Sequence, residues 1–339
     1  MTVTERVAPA RPGRRLPALA LTGALVLALM LAVTLLGGCF RDPQKMLRIG
    51  TNVWIGSEPL YLARDLGQLD PKAVRLVEYP SASEVLRAYR NQAIDGMVIS
   101  LDELLGLAVD GLQPRVVLVA DISHGADVVV GRAGMRSMAD LRGRPVAVEG
   151  GAVGALVLSR ALDLAGMHAG EVEVVHLDSN EQPDAFEQGR VDGAVTFDPY
   201  RTRLLAAGAT TLFDSSLIPG EIVDLVAIRA DVLERQPASV RALLSGWFRA
   251  VDYIGRDPLD AARRMGIRQQ ASAESFLASL RLLHLPSRDE NKEMIGGPQP
   301  ELVANAQRLA KLMVAAGLLR TAPGLDSLLA PGPLAELPP

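Results

Sequence analysis

The sequence has little cysteine, few aromatic residues and no strong excess of one charge. A single cysteine among 339 residues excludes an intrachain disulfide framework and metal sites built from several cysteines. With 35 basic and 39 acidic residues the net charge is -4, so no overall basic field recruits nucleic acid. Hydrophobic residues make up 49% and charged residues 22%, which excludes a largely disordered chain. The length predicts two lobes, each with its own core.

The N-terminal segment carries the pattern of a secretion signal. Three arginines (Arg11, Arg14 and Arg15) precede an apolar run from Leu16 to Leu36. The following sequence, Leu36-Gly37-Gly38-Cys39, resembles the bacterial lipobox, in which the cysteine is lipidated and becomes the new N-terminus. We therefore expect residues 1–38 to be a lipoprotein signal peptide, Cys39 the lipidation site and residues 39–46 a tether. The alternative is an uncleaved membrane anchor, since about 20 apolar residues cross a bilayer. Both place the rest of the chain outside the cytoplasm.

Short strands alternate with amphipathic helices from Lys45 onward, which predicts an α/β protein with mostly parallel sheets. The expected strands fall into two sets and a later single strand: Leu47–Asn52, Val74–Tyr79, Gly96–Ser100 and Val116–Asp121; then Pro145–Glu149, Val172–His176, Gly193–Phe197 and Thr210–Phe213; and finally Leu225–Arg229.

The two sets of strands echo each other at a constant offset. The segment Ala88–Gly96 aligns without a gap with Ala185–Gly193, and the same offset lays Leu47–Ser57 over Arg144–Gly154. Such repetition indicates two equivalent α/β units with a cleft between them. We expect the first lobe to comprise residues 47–127 and 225–320, where helices follow the last strand, and the second lobe to comprise 128–224. The proline-rich segment 321–339 is expected to be weakly ordered.

Candidate binding residues follow the carboxyl ends of the strands, where open parallel sheets bind their ligands. They are Trp54, Ser57, Glu58, Ser81, Ser83, Ser100, Asp102, Asp127, Glu149, Gly150, Gly151, Asp198 and Asp224. Several are carboxylates, and the predicted cleft offers little arginine or lysine. This pattern favours a ligand that is cationic or rich in hydrogen-bond donors, because a buried charge must be paired.

Several candidates also have purely structural interpretations. Ser81 and Glu84 have the spacing of a capping box, which we favour over ligand contact. Asp102 and Asp198 have the positions of helix caps, and structure and binding stay equally open for both. Trp54 is either a core residue or a stacking surface for a flat ligand.

The glycine turn that begins at Gly150 also has two interpretations. The sequence Gly150-Gly151-x-x-Gly154 lets backbone N–H groups approach an anion at a helix N-terminus. Glu149 occupies the first glycine position of the dinucleotide-binding fingerprint, so the turn is not that motif. An ordinary tight turn is the alternative.

The sequence contains no recognisable catalytic constellation. The four histidines, at positions 124, 168, 176 and 284, have no metal-binding spacing, and neither G-x-S-x-G nor H-E-x-x-H occurs. The lone cysteine belongs to the proposed processing site. We therefore predict no catalytic residue, no metal and no cofactor.

One segment near the start of the first lobe is typical of a known family. The stretch Thr51–Ala63, with Trp54, Gly56 and Pro59-Leu60-Tyr61-Leu62-Ala63, resembles the opening of ABC-transporter substrate-binding proteins of the nitrate/sulfonate/taurine group (SsuA/THI5-like, NMT1-like). Ala93–Gly96, Met138–Val148 and Ala155–Ala165 resemble the same group, so the resemblance runs from about Lys45 to Arg320.

This resemblance implies a periplasmic-binding-protein fold of type II that closes on a small solute. The solute would be nitrate-, sulfonate- or taurine-like, or aminopyrimidine-like, and would pass to a membrane permease with a cytoplasmic ATPase. The resemblance also implies binding through turns at Trp54–Glu58, Ser81–Ser83, Ser100–Asp102, Glu149–Ala152 and Asp198. Sulfonate- and taurine-type members usually carry hydroxyl residues where this chain has Ala152 and Val153, which puts oxyanion recognition in doubt.

We expect a monomeric, lipid-anchored receptor without enzymatic activity that does not bind nucleic acid. The alternatives are an extracytoplasmic enzyme on the same fold and a solute sensor that takes no part in transport.

Overall fold

The computed structural model describes Thr2 and residues 46–151, 153–325 and 327–338. The predicted signal peptide and Cys39 lie outside these residues. Within the described part of the chain, no helix is long and apolar enough to cross a membrane.

The described residues form two β-sheets. The strands are β1 (Leu47–Asn52), β2 (Val74–Tyr79), β3 (Gly96–Ser100), β4 (Pro114–Ser123), β5 (Val128–Gly131), β6 (Pro145–Val148), β7 (Glu173–His176), β8 (Gly193–Thr196), β9 (Thr210–Asp214), β10 (Val223–Arg229) and β11 (Leu283–His284). The first sheet has the order β11-β4-β10-β3-β1-β2, and the second has the order β7-β6-β8-β5-β9. The predicted α/β class is confirmed.

Helices flank both sheets. They are α1 (Glu58–Asp65), α2 (Ala82–Arg90), α3 (Leu101–Val109), α4 (Val153–Leu164), α5 (Gln182–Glu187), α6 (Tyr200–Ala206), α7 (Ala230–Arg235), α8 (Pro237–Arg256), α9 (Pro258–Arg268), α10 (Ala273–Leu280), α11 (Arg288–Ile295), α12 (Glu301–Ala315) and α13 (Gly332–Ala335). Several begin at the residues that the sequence marks as starts. Pro59 stands in the first turn of α1, and Ser81 caps α2 by accepting a hydrogen bond from the backbone N–H of Glu84.

The two sheets repeat one topology. Strands β4-β10-β3-β1-β2 of the first sheet correspond in order to β9-β5-β8-β6-β7 of the second. In each sheet the strand next to one edge pairs in parallel with both neighbours (β1 with β2 and β3, β6 with β7 and β8). Two strands of the first sheet, β10 and β11, and one strand of the second, β5, run antiparallel to the others. The sequence patterns do not predict β5, which is only four residues long.

Equivalent arginines hold the equivalent turns before β3 and β8. The N–H of Arg229 donates to Asp95 O at 3.0 Å, and that of Arg132 donates to Asp192 O at 3.1 Å. The Arg229 guanidinium lies 4.0 Å from the ring centroid of Tyr89, and the Arg132 guanidinium lies 4.1 Å from that of Phe186. The repeat found in the sequence aligns Asp95 with Asp192. It also aligns Tyr89 with Phe186. The repeat therefore extends to the contacts that stabilise each lobe.

Strands β3 and β8 each begin with a glycine that packs closely against the backbone of the neighbouring strand. A Cβ on Gly96 would lie 2.8 Å from the carbonyl oxygen of Ala227, and a Cβ on Gly193 would lie 2.9 Å from that of Val130. Those carbonyls belong to the antiparallel strands β10 and β5. Only glycine allows this approach, which explains the acidic-glycine turn that recurs in both halves of the sequence.

The C-terminal segment differs from the weak order expected of its prolines. The backbone of Val116 in β4 donates to Leu328 O at 2.9 Å and accepts from Ala330 N at 2.8 Å. Leu328, Leu334 and Leu337 are buried in the core of the first sheet. Apolar residues between the prolines therefore hold this segment against the sheet, since each buries surface that water would otherwise contact.

Candidate functional site

A small cavity lies between the two sheets, beside the carboxyl ends of β1, β3 and β8. Its volume is about 40 Å³, which leaves room for only a few water-sized groups. It is lined by Asn52, Trp54, Ala82, Val98, Ile99, Ser100, Glu103, Asp127, Glu149, Val153, Gly154, Ser179, Val195, Thr196, Phe197, Ile222 and Asp224. Both sheets and both chain crossings between them contribute, and the lining includes four carboxylates but no lysine, arginine or histidine.

Contacts across the cleft keep the cavity small. The backbone N–H of Ser83 donates to Glu149 Oε1 at 2.8 Å, and the Ser83 hydroxyl donates to Gly150 O at 3.3 Å. The rings of Trp54 and Phe197 meet edge to face with centroids 5.2 Å apart. Segments that follow strands of the first sheet thus contact segments that follow strands of the second, and these contacts narrow the cleft.

Trp54 takes part in both the core and the cavity. Its indole N–H donates to Asp121 Oδ2 at 3.2 Å, while its ring lines the cavity. Any side chain at Gly56 would overlap the Asp121 carboxylate and crowd the Trp54 indole nitrogen, so the glycine permits this hydrogen bond. This contact gives a physical reason for the W-x-G pattern of the opening segment.

Burial raises the pKa of a group of carboxyls around the cavity. Loss of hydration is the largest cause in each case. It raises the pKa of Asp102 and Asp127 to about 6, of Asp121 to about 7 and of Glu103 to about 8. The pKa of Asp224 is raised well above its usual range, by burial and by the nearby Asp121 carboxylate with which it shares a hydrogen bond. These groups therefore keep their protons to a higher pH than exposed carboxyls do, and Glu103, with a pKa of about 8, is largely protonated at neutral pH.

Not every oxygen around the cavity has a protein partner. Glu149 is satisfied, because it accepts from Ser83 N and from the Ser179 hydroxyl. Among the described residues that line the cavity, Ser100 Oγ, Glu103 Oε1, Asp127 Oδ2 and Thr196 Oγ1 are buried without a hydrogen-bond partner. Buried polar atoms in folded proteins are normally hydrogen-bonded, so these four are the ones that a ligand can satisfy.

The structure brings five of the sequence-predicted residues together around the cavity: Trp54, Ser100, Asp127, Glu149 and Asp224. Two more, Ser83 and Gly150, lie at its rim through the contacts that cross the cleft. Gly151 adopts a positive φ of 74° and shapes the turn without lining the cavity.

The remaining predicted residues lie outside the cavity lining. Ser81 is the N-cap of α2, as the capping-box interpretation predicts. Ser57 is buried, and its hydroxyl has no hydrogen-bond partner among the described residues. Asp102 is not the helix cap that one interpretation predicts, because Ser100 is the N-cap of α3. Asp102 is instead a buried neighbour of the lining residues Ser100 and Glu103.

Glu58 faces its own lobe instead of the ligand cavity. It accepts hydrogen bonds from Gln269 Nε2 at 2.7 Å and from Arg268 Nε at 3.2 Å, both at the end of α9. Burial raises its pKa to about 7, although the Arg268 charge opposes that shift. The Arg268 guanidinium also stacks 3.5 Å from the centroid of the Tyr61 ring.

Asp198 joins the two lobes at a different place. Its carboxylate accepts from the Thr202 hydroxyl at 2.6 Å within α6 and from the Ser279 hydroxyl at 2.6 Å in α10. It lines a larger, separate depression of about 670 Å³, together with Glu78 and Arg268. Asp198 is therefore a structural link between the lobes in this conformation.

Sequence reasoning missed several cavity residues, including Asn52, Glu103, Ser179 and Thr196. The sequence contains a pattern that places Glu103 beside Ser100, because Ser100-Leu101-Asp102-Glu103 has the spacing of a capping box. In the structure Glu103 Oε2 accepts a hydrogen bond from the backbone N–H of Ser100 at 2.9 Å. The internal repeat aligns Ser179 with Ala82, and both residues line the cavity.

With this geometry established, comparison with known proteins places the chain in a family. A family model of NMT1-like proteins matches residues 41–267, more than half of the chain. The chain belongs to the NMT1-like family. A protein of Escherichia coli (strain K12) named for binding aliphatic sulfonates is 28% identical to this NMT1-like chain over 209 residues. That match covers 57% of this chain and 62% of the relative, so it spans less than two thirds of the relative's length.

Solved structures show that this NMT1-like chain has the periplasmic binding protein fold. The ligand-binding component of an ABC-type import system from Staphylococcus aureus, with zinc bound, matches with a TM-score of 0.73 at 15% identity, over 87% of this chain and 99% of that one. The alkanesulfonate-binding protein SsuA from Xanthomonas axonopodis pv. citri matches with a TM-score of 0.70 at 19% identity, over 84% and 98%. The fold predicted from the resemblance is confirmed.

The same fold also occurs in an enzyme. The desulfurization enzyme DSZB matches with a TM-score of 0.61 at 15% identity, over 85% of this chain and 98% of that one. At this identity the likeness concerns the fold alone, so function has to be argued from the site. In the described part of the chain, no group of three or more histidine, cysteine or acidic side chains is arranged to hold a metal ion.

Proposed function

We propose that the protein is an extracytoplasmic solute receptor of an ABC importer that captures a small polar solute between its lobes and delivers it to a membrane permease. The cavity supports this most directly, because residues of both sheets line it and hydrogen bonds between the two sides of the cleft narrow it. Binding then amounts to a shift of population toward the closed state. The family and the sulfonate-binding relative support solute binding of this kind.

The side chains that line the cavity indicate the class of solute. Nitrate and sulfonates are anions, yet the cavity lining contains four carboxylates and no basic side chain. An aminopyrimidine-like or other nitrogen-containing solute fits these acceptors better, since it offers N–H donors. We propose no catalytic residue, because the lining offers no histidine, cysteine or lysine as base or nucleophile.

We further propose that Cys39 carries the lipid that anchors the mature, monomeric protein to the bacterial cell membrane. The basic flank, the apolar run and the lipobox-like sequence support this proposal. Replacing Cys39 with serine should abolish fatty-acid labelling in cells. Labelling that persists in Cys39→Ser contradicts the lipid anchor.

A thermal-shift screen tests the solute-binding function. The panel contains nitrate, sulfonates, taurine, amino acids and aminopyrimidines, and equilibrium dialysis confirms each positive result. One small polar solute should raise the melting temperature, because a ligand that binds only the folded protein stabilises it. No response to any of them refutes the proposed function. Conversion of a bound solute into a product would instead support the alternative, an enzyme on the same fold.

A further inference from the structure

The cavity leaves four buried oxygen atoms without a partner. Among the described residues, the carboxyl oxygens Glu103 Oε1 and Asp127 Oδ2 and the hydroxyl oxygens Ser100 Oγ and Thr196 Oγ1 have none, although their residues are only 6%, 3%, 3% and 1% exposed. All four residues line the same small space. A buried acceptor without a hydrogen bond lowers the stability of the folded protein, and a ligand that donates a hydrogen bond to it offsets this cost. The cavity therefore favours ligands that carry hydrogen-bond donors.

The surrounding charges have one sign. Besides Glu103 and Asp127, the titratable groups that face the cavity or pack behind it are Asp102, Asp121, Glu149 and Asp224, all acidic. Hydrogen bonds from hydroxyl groups, backbone amides, the Trp54 indole and the Asp224 carboxyl oppose the raised pKa values of Asp102, Glu103, Asp121 and Asp127. No basic group contributes to these pKa values. A buried negative charge needs a positive partner, and the cavity lining supplies none.

We propose that the cavity holds a small cationic nitrogen group of the solute, an ammonium or amidinium head, with Glu103, Asp127 and Thr196 as its acceptors. This assignment rests on the solute-binding function proposed above. A volume of about 40 Å³ suits such a head group better than a whole metabolite, so a larger solute requires the lobes to stand further apart than they do in this structure. The cation neutralises the carboxylates, and its N–H groups fill the unpartnered positions.

The proposal fixes the direction of the pH dependence. Without ligand, Glu103, Asp121 and Asp127 keep protons up to higher pH than exposed carboxyls do, because burial raises their pKa values. A cation favours the ionised carboxylates, so its binding releases protons and its affinity increases from pH 6 to pH 8. An anion would need the protonated acids as donors, and its affinity would decrease over the same range.

The experiment uses acetamidinium and methylammonium chloride as cationic probes and sodium methanesulfonate as the anionic probe. Their binding to the wild-type protein is measured by isothermal titration calorimetry at pH 6 and pH 8, in two buffers of different ionisation enthalpy. The expected result is binding of at least one cation, tighter at pH 8 and accompanied by proton release. Chloride is common to the cationic probes, and sodium chloride serves as the blank.

Variants identify the acceptors. Glu103→Gln keeps an oxygen for the Ser100 N–H but removes the charge, and it should weaken the binding of the cation about tenfold or more. Asp127→Asn is the second variant and should weaken it similarly. Glu173→Gln, at an exposed site on β7, is the matched control and should leave the affinity unchanged. Circular dichroism identifies any variant that fails to fold, and the wild-type pH dependence does not rely on the variants.

Two negative outcomes are distinguishable. If methanesulfonate binds, more weakly at pH 8, and both cations fail, the cationic assignment is wrong while the solute receptor stands. If both cations fail and the solute screen described above is also negative, the assignment and the proposed function fall together. Equal affinity of the cations for Glu103→Gln, Asp127→Asn and the wild type refutes the placement in this cavity.

Discussion

Removing the Glu149 side chain should open the cleft. Glu149 follows β6 in the second sheet, and its Oε1 accepts the backbone N–H of Ser83, which belongs to the first lobe, at 2.8 Å. Its other oxygen accepts from the Ser179 hydroxyl, which lies on the same side of the cleft as Glu149. The first hydrogen bond crosses the cleft and the second holds the carboxylate in place. Glu149→Ala removes both.

The magnitude follows from the one Glu149 hydrogen bond that crosses the cleft. A hydrogen bond to a charged group contributes about 1.5–3 kcal/mol, and about 1.4 kcal/mol changes an equilibrium tenfold. Ser83 is only partly buried, so water reaches its N–H when the lobes separate, which favours the lower end of this range. The ratio of closed to open molecules should therefore decrease about tenfold in Glu149→Ala.

Small-angle X-ray scattering of the solute-free protein measures this change as an increase in the radius of gyration. Glu149→Gln keeps an oxygen for the Ser83 N–H and should give a smaller increase. Glu173→Gln, at an exposed position on the neighbouring strand β7, is the control and should scatter like the wild type. Identical scattering of Glu149→Ala and the wild type would refute the idea that this bond stabilises the closed state.

Three further predictions concern the repeat, the second link across the cleft and the effect of pH. Gly96→Ala and Gly193→Ala should each lower stability by about 1–3 kcal/mol in urea unfolding, because the added methyl meets a strand carbonyl; a loss at one site alone contradicts the structural equivalence. Ser279→Ala removes a 2.6 Å hydrogen bond to Asp198 and should increase the radius of gyration, whereas Ser275→Ala, its neighbour on α10, should increase it less. Burial raises the pKa values of Glu58 and Glu103 to about 7 and 8. The folded protein therefore binds more protons than the unfolded chain between about pH 5 and pH 8, and its free energy of unfolding decreases as the pH rises through that window. Calorimetry without solute should show a lower melting temperature at pH 8 than at pH 5.

Local patterns predicted the repeating part of the fold well. Strands such as Val74–Tyr79 and Gly96–Ser100 have the predicted bounds, because an apolar run between turn residues defines them. The repeat predicted the equivalence of the sheets, and the structure extends it to paired contacts at Asp95 and Asp192. The sequence patterns predict neither β5 nor the two-residue strand β11, although β6, β7 and β8 are as short as β5 and are predicted. The proline content of the C-terminal segment predicts weak order, but the structure shows the segment packed against the first sheet. Leucines between the prolines provide this packing.

The candidate site was predictable as a region but not residue by residue. The rule for the carboxyl ends of strands identifies the cleft correctly as the place where carboxylates gather, and it treats Glu58, Asp127, Glu149 and Asp198 alike. Their roles differ because their partners come from distant parts of the chain. Arg268 and Gln269 reach Glu58 from α9, and Ser279 reaches Asp198 from α10. No local pattern contains that information.

A carboxylate of this cleft becomes available to a ligand when folding leaves it without a protein donor. Glu149 has two donors and serves closure, whereas an oxygen of Asp127 and one of Glu103 have none among the described residues. Burial makes such an oxygen costly, so selection for stability alone would replace it with an apolar group or give it a partner. A donor that comes from outside the chain would offset this cost at the junction of both lobes. The same reasoning predicts that closure and binding depend on different carboxylates, and that Glu149→Ala and Glu103→Gln separate the two.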